Sequence, residues 1–268
     1  MRLARQLIVP STGRFTLDSV DPSATHGIDK DEAIEKLEKN RERLGALQYL
    51  LYAEQKRALL VVLQGIDAGG KDGTIRHVLT GMNPQGVRVT PFKAPEGAEK
   101  RHDYLWRVHN AVPEQGMIGI FNRSHYEDVL VVRVHNLVPR SVWSKRYRQI
   151  NDFERMLTEN GVTIAKFLLY ISKDEQARRF RARLEEKSKN WKFSEADIRE
   201  RQYWDQYMDA FNDVLRKCST PYAPWYVIPA DRKWFRNFAI ASILIHTLKS
   251  MKLRLPSAPQ DLSHIEFE

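Results

Sequence analysis

Seven consecutive residues, Gly65-Ile66-Asp67-Ala68-Gly69-Gly70-Lys71, have the G-x-x-x-x-G-K spacing of a loop that wraps phosphate. The backbone around Gly65, Ala68, Gly69, Gly70, Asp72, Gly73 and Thr74 is the expected cradle, and the Lys71 ammonium reaches further along the phosphates. Two carboxylates set this loop apart. Asp67 lies inside it, and Asp72 stands where an ordinary loop of this type places the Ser or Thr that binds magnesium. Bare carboxylates repel a polyanion unless a cation lies between them, and hard divalent ions are held by one or two carboxylates plus phosphate oxygens. Mg²⁺ is therefore the expected cofactor, with Mn²⁺ as the alternative ion. Asp67 also reads as a turn residue, and Asp72 as a favourable first-turn helix charge. Thr74 offers a hydroxyl, but at the wrong offset from Lys71 for the usual role.

A second polar cluster, Asn122-Arg123-Ser124-His125-Tyr126-Glu127-Asp128, follows the apolar run 117–121. A fold built on such a loop keeps its second metal-site carboxylate there, which makes Asp128 the metal candidate. Glu127 is the weaker one, because neighbours on a helix face different ways. Arg123 can grip phosphate oxygens through two parallel hydrogen bonds, with Asn122 as a neutral donor beside it. His125 suggests a general base, but a phosphate nucleophile is already ionised near neutral pH, so a structural role is expected. Arg133 extends the phosphate-binding set into the following basic stretch. The block 173–192 is rich in Lys and Arg, as in mobile lids that neutralise transferring phosphate. Arg179 and Arg183, four residues apart, share a helix face.

The elements around these residues follow from hydrophobic period and turn chemistry. Leu59 to Leu63 are uniformly apolar, the mark of a strand buried on both faces. Asp29 reads as the cap of a long amphipathic helix carrying Ala33, Ile34, Leu37, Leu44, Leu47 and Leu51. Beyond the loop the pattern predicts a helix over 70–80, a strand at 87–92, a helix over 98–111 ended by Pro113 and a strand at 117–121. It continues with a helix over 139–160 and strands at 162–171 and 225–228. This alternation predicts an α/β fold with a five-stranded parallel sheet and the ligand site at the carboxyl ends of the strands. Together with the glycine-rich loop and the basic block 173–192 it points to a three-layer α/β/α P-loop kinase architecture with a helical lid. Residues 1–268 are expected to form one domain. Within it, 1–27 would be an extended arm, about 130–150 and 173–200 basic lid helices, and 253–268 an irregular tail.

Composition bounds the partners. Of 268 residues, 43 are Lys or Arg and 34 Asp or Glu, a formal net charge of +9 that favours an anionic partner, whether nucleic acid, a phosphorylated metabolite or an inorganic phosphate polymer. No zinc pattern or aromatic-rich recognition motif supports specific nucleic-acid binding, although a basic nucleic-acid-binding protein stays in view. The apolar stretch 238–248 is too short to cross a bilayer, so no membrane partner is expected. The single cysteine, Cys218, and the lack of an apolar stretch after Met1 to Arg5 fit a reducing, cytoplasmic setting.

Five ordered blocks resemble the type-2 polyphosphate kinases, P-loop proteins similar in fold to thymidylate kinase. They are Gly65-x-Asp67-x-x-Gly70-Lys71-Asp72-Gly73-Thr74, Asp103-Tyr104-Leu105-Trp106-Arg107, Phe121-Asn122-Arg123-Ser124-x-Tyr126-Glu127-Asp128-Val129, Trp191-Lys192-Phe193 and Ala223-Pro224-Trp225. The resemblance spans roughly residues 30–250 and implies Mg²⁺-dependent, reversible transfer of the terminal phosphate of inorganic polyphosphate to a nucleotide. It gives Asp67 and Asp128 metal and catalytic roles, sets Lys71, Asn122 and Arg123 on the polyphosphate end, and sets lid arginines along the chain. Lys93 and Arg107 are the implied acceptor contacts. The chain looks most like members that convert AMP to ADP and ADP to ATP, and such members form homodimers or homotetramers. A kinase with a nucleotide donor and a small-metabolite acceptor is the nearest rival, opposed by the missing Ser or Thr after Lys71.

Overall fold

The computed structural model describes residues 2–257. Five strands, β1 (Ala58–Gln64), β2 (Val87–Pro91), β3 (Ile118–Asn122), β4 (Val162–Tyr170) and β5 (Trp225–Pro229), pair in parallel in the order β2-β3-β1-β4-β5. The helices are α1 (Arg2–Leu7), α2 (Lys30–Glu54), α3 (Lys71–Val78), α4 (Trp106–His109), α5 (Val131–Val134), α6 (Arg140–Glu159), α7 (Lys173–Glu185), α8 (Glu195–Glu200), α9 (Trp204–Cys218) and α10 (Lys233–Ser250).

β1 is buried along its whole length, and its pleat divides its side chains between two cores. Leu60 and Val62 enter the core shared with α6 and α9, while Leu59, Val61 and Leu63 enter the one shared with α2 and α10. A strand covered by helices on both faces cannot alternate with polar residues, which is why the run is uniformly apolar. The register pairs Leu63 with Asn122 and Gln64 with Leu168, so β1 and β3 end within one residue of each other and β4 two residues beyond β1. Their outgoing loops therefore lie side by side. Asp29 caps α2 by accepting from the amides of Asp31 and Glu32 at 2.9 and 3.1 Å.

Three expectations are corrected. The N-terminal segment is not an extended arm throughout. It begins with α1, Ile8 then bridges Tyr226 in antiparallel fashion, and the Val9 amide donates to the Trp225 carbonyl at 2.8 Å. The helix expected over 98–111 is broken into a 3₁₀ turn, Gly97–Arg101, and the short α4, because Asp103 folds its carboxylate onto the Leu105 amide at 2.9 Å. The basic helix near 130–150 is not a lid: α6 buries Trp143, Tyr147, Ile150, Phe153 and Leu157 against the sheet, at helical spacing. Residues 253–257 are irregular, and the rest of the expected tail, 258–268, lies outside the described residues. No helix among the described residues is long and apolar enough to cross a membrane.

One polar knot is enclosed in the core. Glu154 accepts from Lys166 and from the Tyr126 hydroxyl, 2.8 Å away, and faces His125 Nε2 at 3.1 Å. Lys166 also donates to Tyr126 Oη and to the Cys218 carbonyl, both at 2.8 Å. Burial opposes the charge on Glu154, but Lys166 and the His125 hydrogen bond outweigh it and hold the carboxyl below its ordinary range. His125 is thus a buried structural residue that lines none of the clefts described below. Glu154→Ala would strand Lys166 as an unpaired buried cation, an expected loss of about 3–5 kcal/mol. Urea unfolding monitored by circular dichroism would measure it, and a change under about 1 kcal/mol would contradict this account.

Candidate active site

The phosphate-loop segment is shaped by glycine where no side chain fits. Gly70 has φ 101°, and a Cβ there would lie 2.0 Å from Arg236 Nη1. The loop is braced from behind, because Gln176 donates to the Asp67 carbonyl at 2.9 Å and Arg179 to those of Ala68 and Gly69 at 2.8 and 3.1 Å. With carbonyls tied back, the first-turn amides of α3 remain as donors toward the cleft. Lys71 folds onto its own loop, donating to the carbonyls of Gly65 and Ile66 at 2.7 and 3.1 Å. Burial, and secondarily the nearby Arg123 charge, lower its pKa to about 8. Thr74 is buried and donates to the Gly70 carbonyl, while Asp72 accepts from Asn122 Nδ2 at 2.8 Å.

The segment after β3 opens with Arg123 at φ 63°, its amide bonded to the Leu63 carbonyl at 3.1 Å. This backbone turns the guanidinium back over the loop, where it pairs with Asp67 on one side and with Glu127, at 3.5 Å, on the other. Burial works against the Arg123 charge, but Glu127 and Asp67 prevail and raise its pKa. Gln64 orients Glu127 through a 2.9 Å hydrogen bond. Asp128 points elsewhere: it binds Arg146 at 2.8 Å, and burial lifts its pKa to about 6 against the pull of Arg146 and Arg107.

Two large clefts meet at Arg123. The first, about 610 Å³, is lined by Asp67, Lys71, Asp72, Asn122 and the cations Arg178, Arg179, Arg183, Lys189, Lys192, Lys233 and Arg236. The second, about 860 Å³, has an apolar wall of Phe92, Val131, Val132, Leu137, Val138 and Val142 and a polar one that includes Lys93, Arg107, Asp128, Arg146 and Gln149. Arg107 is fixed by the Lys93 carbonyl at 2.7 Å and Glu99 at 3.2 Å. Arg123 borders both clefts, as do Phe92 and Lys93. One space suits a polyanion, and the other a molecule with an apolar body and an anionic end.

Residues 27–256 match the family model described as polyphosphate kinase 2 (PPK2). The chain belongs to the polyphosphate kinase 2 family. It is 53% identical, over 92% of its length and 94% of the relative's, to the AMP/ADP-polyphosphate phosphotransferase of Meiothermus ruber. It is 48% identical, over 85% of its length and 83% of the relative's, to the ADP-polyphosphate phosphotransferase of Rhodopseudomonas palustris. The crystal structure of polyphosphate kinase 2 from Arthrobacter aurescens superposes with a TM-score of 0.94 at 45% identity, covering 97% of this chain and 94% of that one. The chain is accordingly a phosphotransferase of this family.

In this family member Asp67, Lys71, Asp72, Asn122, Arg123 and Arg183 surround the first cleft, and Lys93, Arg107 and Asp128 line the second. Arg133 joins neither. It donates to Asp213 at 2.7 Å and to Tyr147 Oη at 2.9 Å and lies over the Trp143 ring, a clamp between α5, α6 and α9. Arg179 reaches the cleft as the brace of the loop, tied to Glu175 at 2.6 Å, and Arg183 pairs with Asp197 at 3.1 Å. The metal candidates straddle Arg123: Asp67 lines the first cleft and pairs with Arg123, Glu127 pairs with Arg123 and lines the second cleft, and Asp128 lines the second cleft beside it. Among the described residues no three or more His, Cys, Asp and Glu side chains gather into a metal cage. Carboxylates on both sides of Arg123 suit an ion whose remaining ligands are phosphate and water, so Asp67 together with Glu127 or Asp128 could hold Mg²⁺.

Sequence reasoning missed Gln64, Arg146, Lys233 and Arg236. The last two could have been found from position, because they open the helix after β5 at the carboxyl edge of a parallel sheet. The lowered Lys71 pKa has a measurable consequence. A lysine is charged below its pKa, so the free protein loses this cation as pH rises through about 8, and tripolyphosphate binding should weaken over that interval. Titration calorimetry at pH 7 and pH 9 should show the loss in the unaltered chain and a flatter profile in Lys71→Met.

Proposed function

We propose that this chain transfers the terminal phosphate of inorganic polyphosphate to AMP and to ADP, giving ADP and ATP. The observation that carries the reading is the meeting of a cation-lined cleft with a half-apolar cavity at one guanidinium, Arg123. The names of the Meiothermus ruber and Rhodopseudomonas palustris relatives agree with it.

In the proposed reaction a phosphate oxygen of the acceptor, seated in the second cleft, attacks the terminal phosphorus of the chain in the first. A new P–O bond forms to the acceptor, the P–O bond to the penultimate phosphate breaks, and the chain leaves one phosphate shorter. The nucleophile is an ionised oxygen, so no side chain need take a proton, in keeping with His125 being buried on Glu154. Arg123, bordering both clefts, neutralises charge on the group in flight, while Lys71 exchanges the Gly65 and Ile66 carbonyls for donor oxygens. Arg107 and Arg146 meet the acceptor phosphate, and the valine-rich wall takes the base. Bound Mg²⁺, or Mn²⁺, would supply further charge neutralisation between Asp67, Glu127 or Asp128, and the phosphates. One phosphoanhydride replaces another, so the reaction is expected to run in both directions.

Purified protein given Mg²⁺ and polyphosphate should form ADP from AMP and ATP from ADP, followed by ion-exchange chromatography; no product with either acceptor would overturn the proposal. Asp67→Asn should lower turnover at least about a hundredfold with an unchanged melting temperature.

A further inference from the structure

Arg236, in the first turn of α10, is 2% exposed yet borders the first cleft. Its Nε and Nη2 both donate to Asn237 Oδ1, at 3.1 and 2.8 Å, and no carboxylate among the described residues pairs with it. Its Nη1 has no hydrogen-bond partner among them and points at the phosphate loop, where only the absence of side chains admits it. A Cβ on Gly70 would lie 2.0 Å from Nη1, and one on Gly73 3.2 Å from Nη2. The neighbouring buried cation, Arg179, is compensated by Glu175. Arg236 is not, and burial followed by the Arg179 charge lowers its pKa to about 9.

A buried cation set beside another cation, with a neutral amide as its partner, is unfavourable unless an anion completes the site. The place left for that anion is the cleft above Gly70 and Gly73, where the α3 amides also point. We infer that Arg236 is a donor-binding residue whose missing counter-ion is a phosphate of the donor chain, held from beneath the loop through the gap that Gly70 and Gly73 leave open. This rests on the polyphosphate reading above. Arg236 borders the first cleft and not the second, so it acts on the donor and not on the nucleotide acceptor.

The test compares Arg236→Met, Arg236→Lys and the unaltered enzyme by steady-state kinetics and by thermal unfolding with and without tripolyphosphate. Arg236→Met should raise KM for polyphosphate about 10- to 100-fold and leave KM for AMP unchanged, the effect of deleting a charge-assisted contact made by one substrate. The ligand-free Met variant should melt no lower than the unaltered protein, because an uncompensated buried charge has been removed, and tripolyphosphate should raise its melting temperature less. Arg236→Lys, charged but lacking the fork, should fall between the two. A Met variant that melts lower without ligand and shows equal rises in both KM values would overturn the inference in favour of a purely structural role. So would unchanged polyphosphate KM in both variants. If tripolyphosphate stabilises the unaltered protein but no turnover follows, the functional reading fails while the loss of that stabilisation in Arg236→Met still decides the role of Arg236. If tripolyphosphate gives no stabilisation even there, both are overturned.

Discussion

The site depends on one guanidinium held in an unusual backbone conformation. Arg123 adopts positive φ directly after β3, and its amide is fixed to the Leu63 carbonyl of β1. Non-glycine residues enter this region at a cost of about 1–2 kcal/mol, which the paired strands and the ion pairs to Asp67 and Glu127 offset. The consequence is geometric. A side chain that would otherwise continue outward past the strand turns over the phosphate loop and becomes a wall common to two clefts. In the ligand-free protein the same charge neutralises two carboxylates that would otherwise repel an incoming polyanion.

Around that guanidinium the cations differ in how they are compensated. Arg179 and Arg183 have carboxylate partners, Lys71 rests on carbonyls, and Arg236 has a neutral amide. This is a graded series in a small space, from cations that hold the architecture to cations that lack an anion. Ion pairs such as Arg133 with Asp213 belong at the architectural end, which explains why a basic residue close in sequence to Arg123 lies outside both clefts.

β1, β3, β4 and β5 were legible because burial forces largely apolar runs, and the loop because glycine and lysine spacing reflects backbone geometry directly. The helix over 98–111 was misread because Asp103 competes locally for a backbone amide, an effect that hydrophobic period does not register. The basic block near 130–150 was read as a lid on charge, while the buried stripe from Trp143 to Leu157 decides its place. The directions of the Glu127 and Asp128 side chains are not legible in the sequence: Gln64, buried at the end of β1, turns Glu127 toward Arg123, while Arg146 holds Asp128. Arg236 and Lys233 are far from the loop in sequence, and only the closing of α10 over the sheet brings them to it.

The antiparallel bridge from Ile8 to Tyr226, with the Val9 amide on the Trp225 carbonyl, covers the outer side of β5 with the chain's own beginning. At the opposite margin β2 ends in Pro91, which has no amide to offer a neighbour. The bridge covers part of the β5 border and Pro91 removes a donor at the end of β2, so each margin offers fewer free backbone groups for strand-by-strand growth into larger sheets.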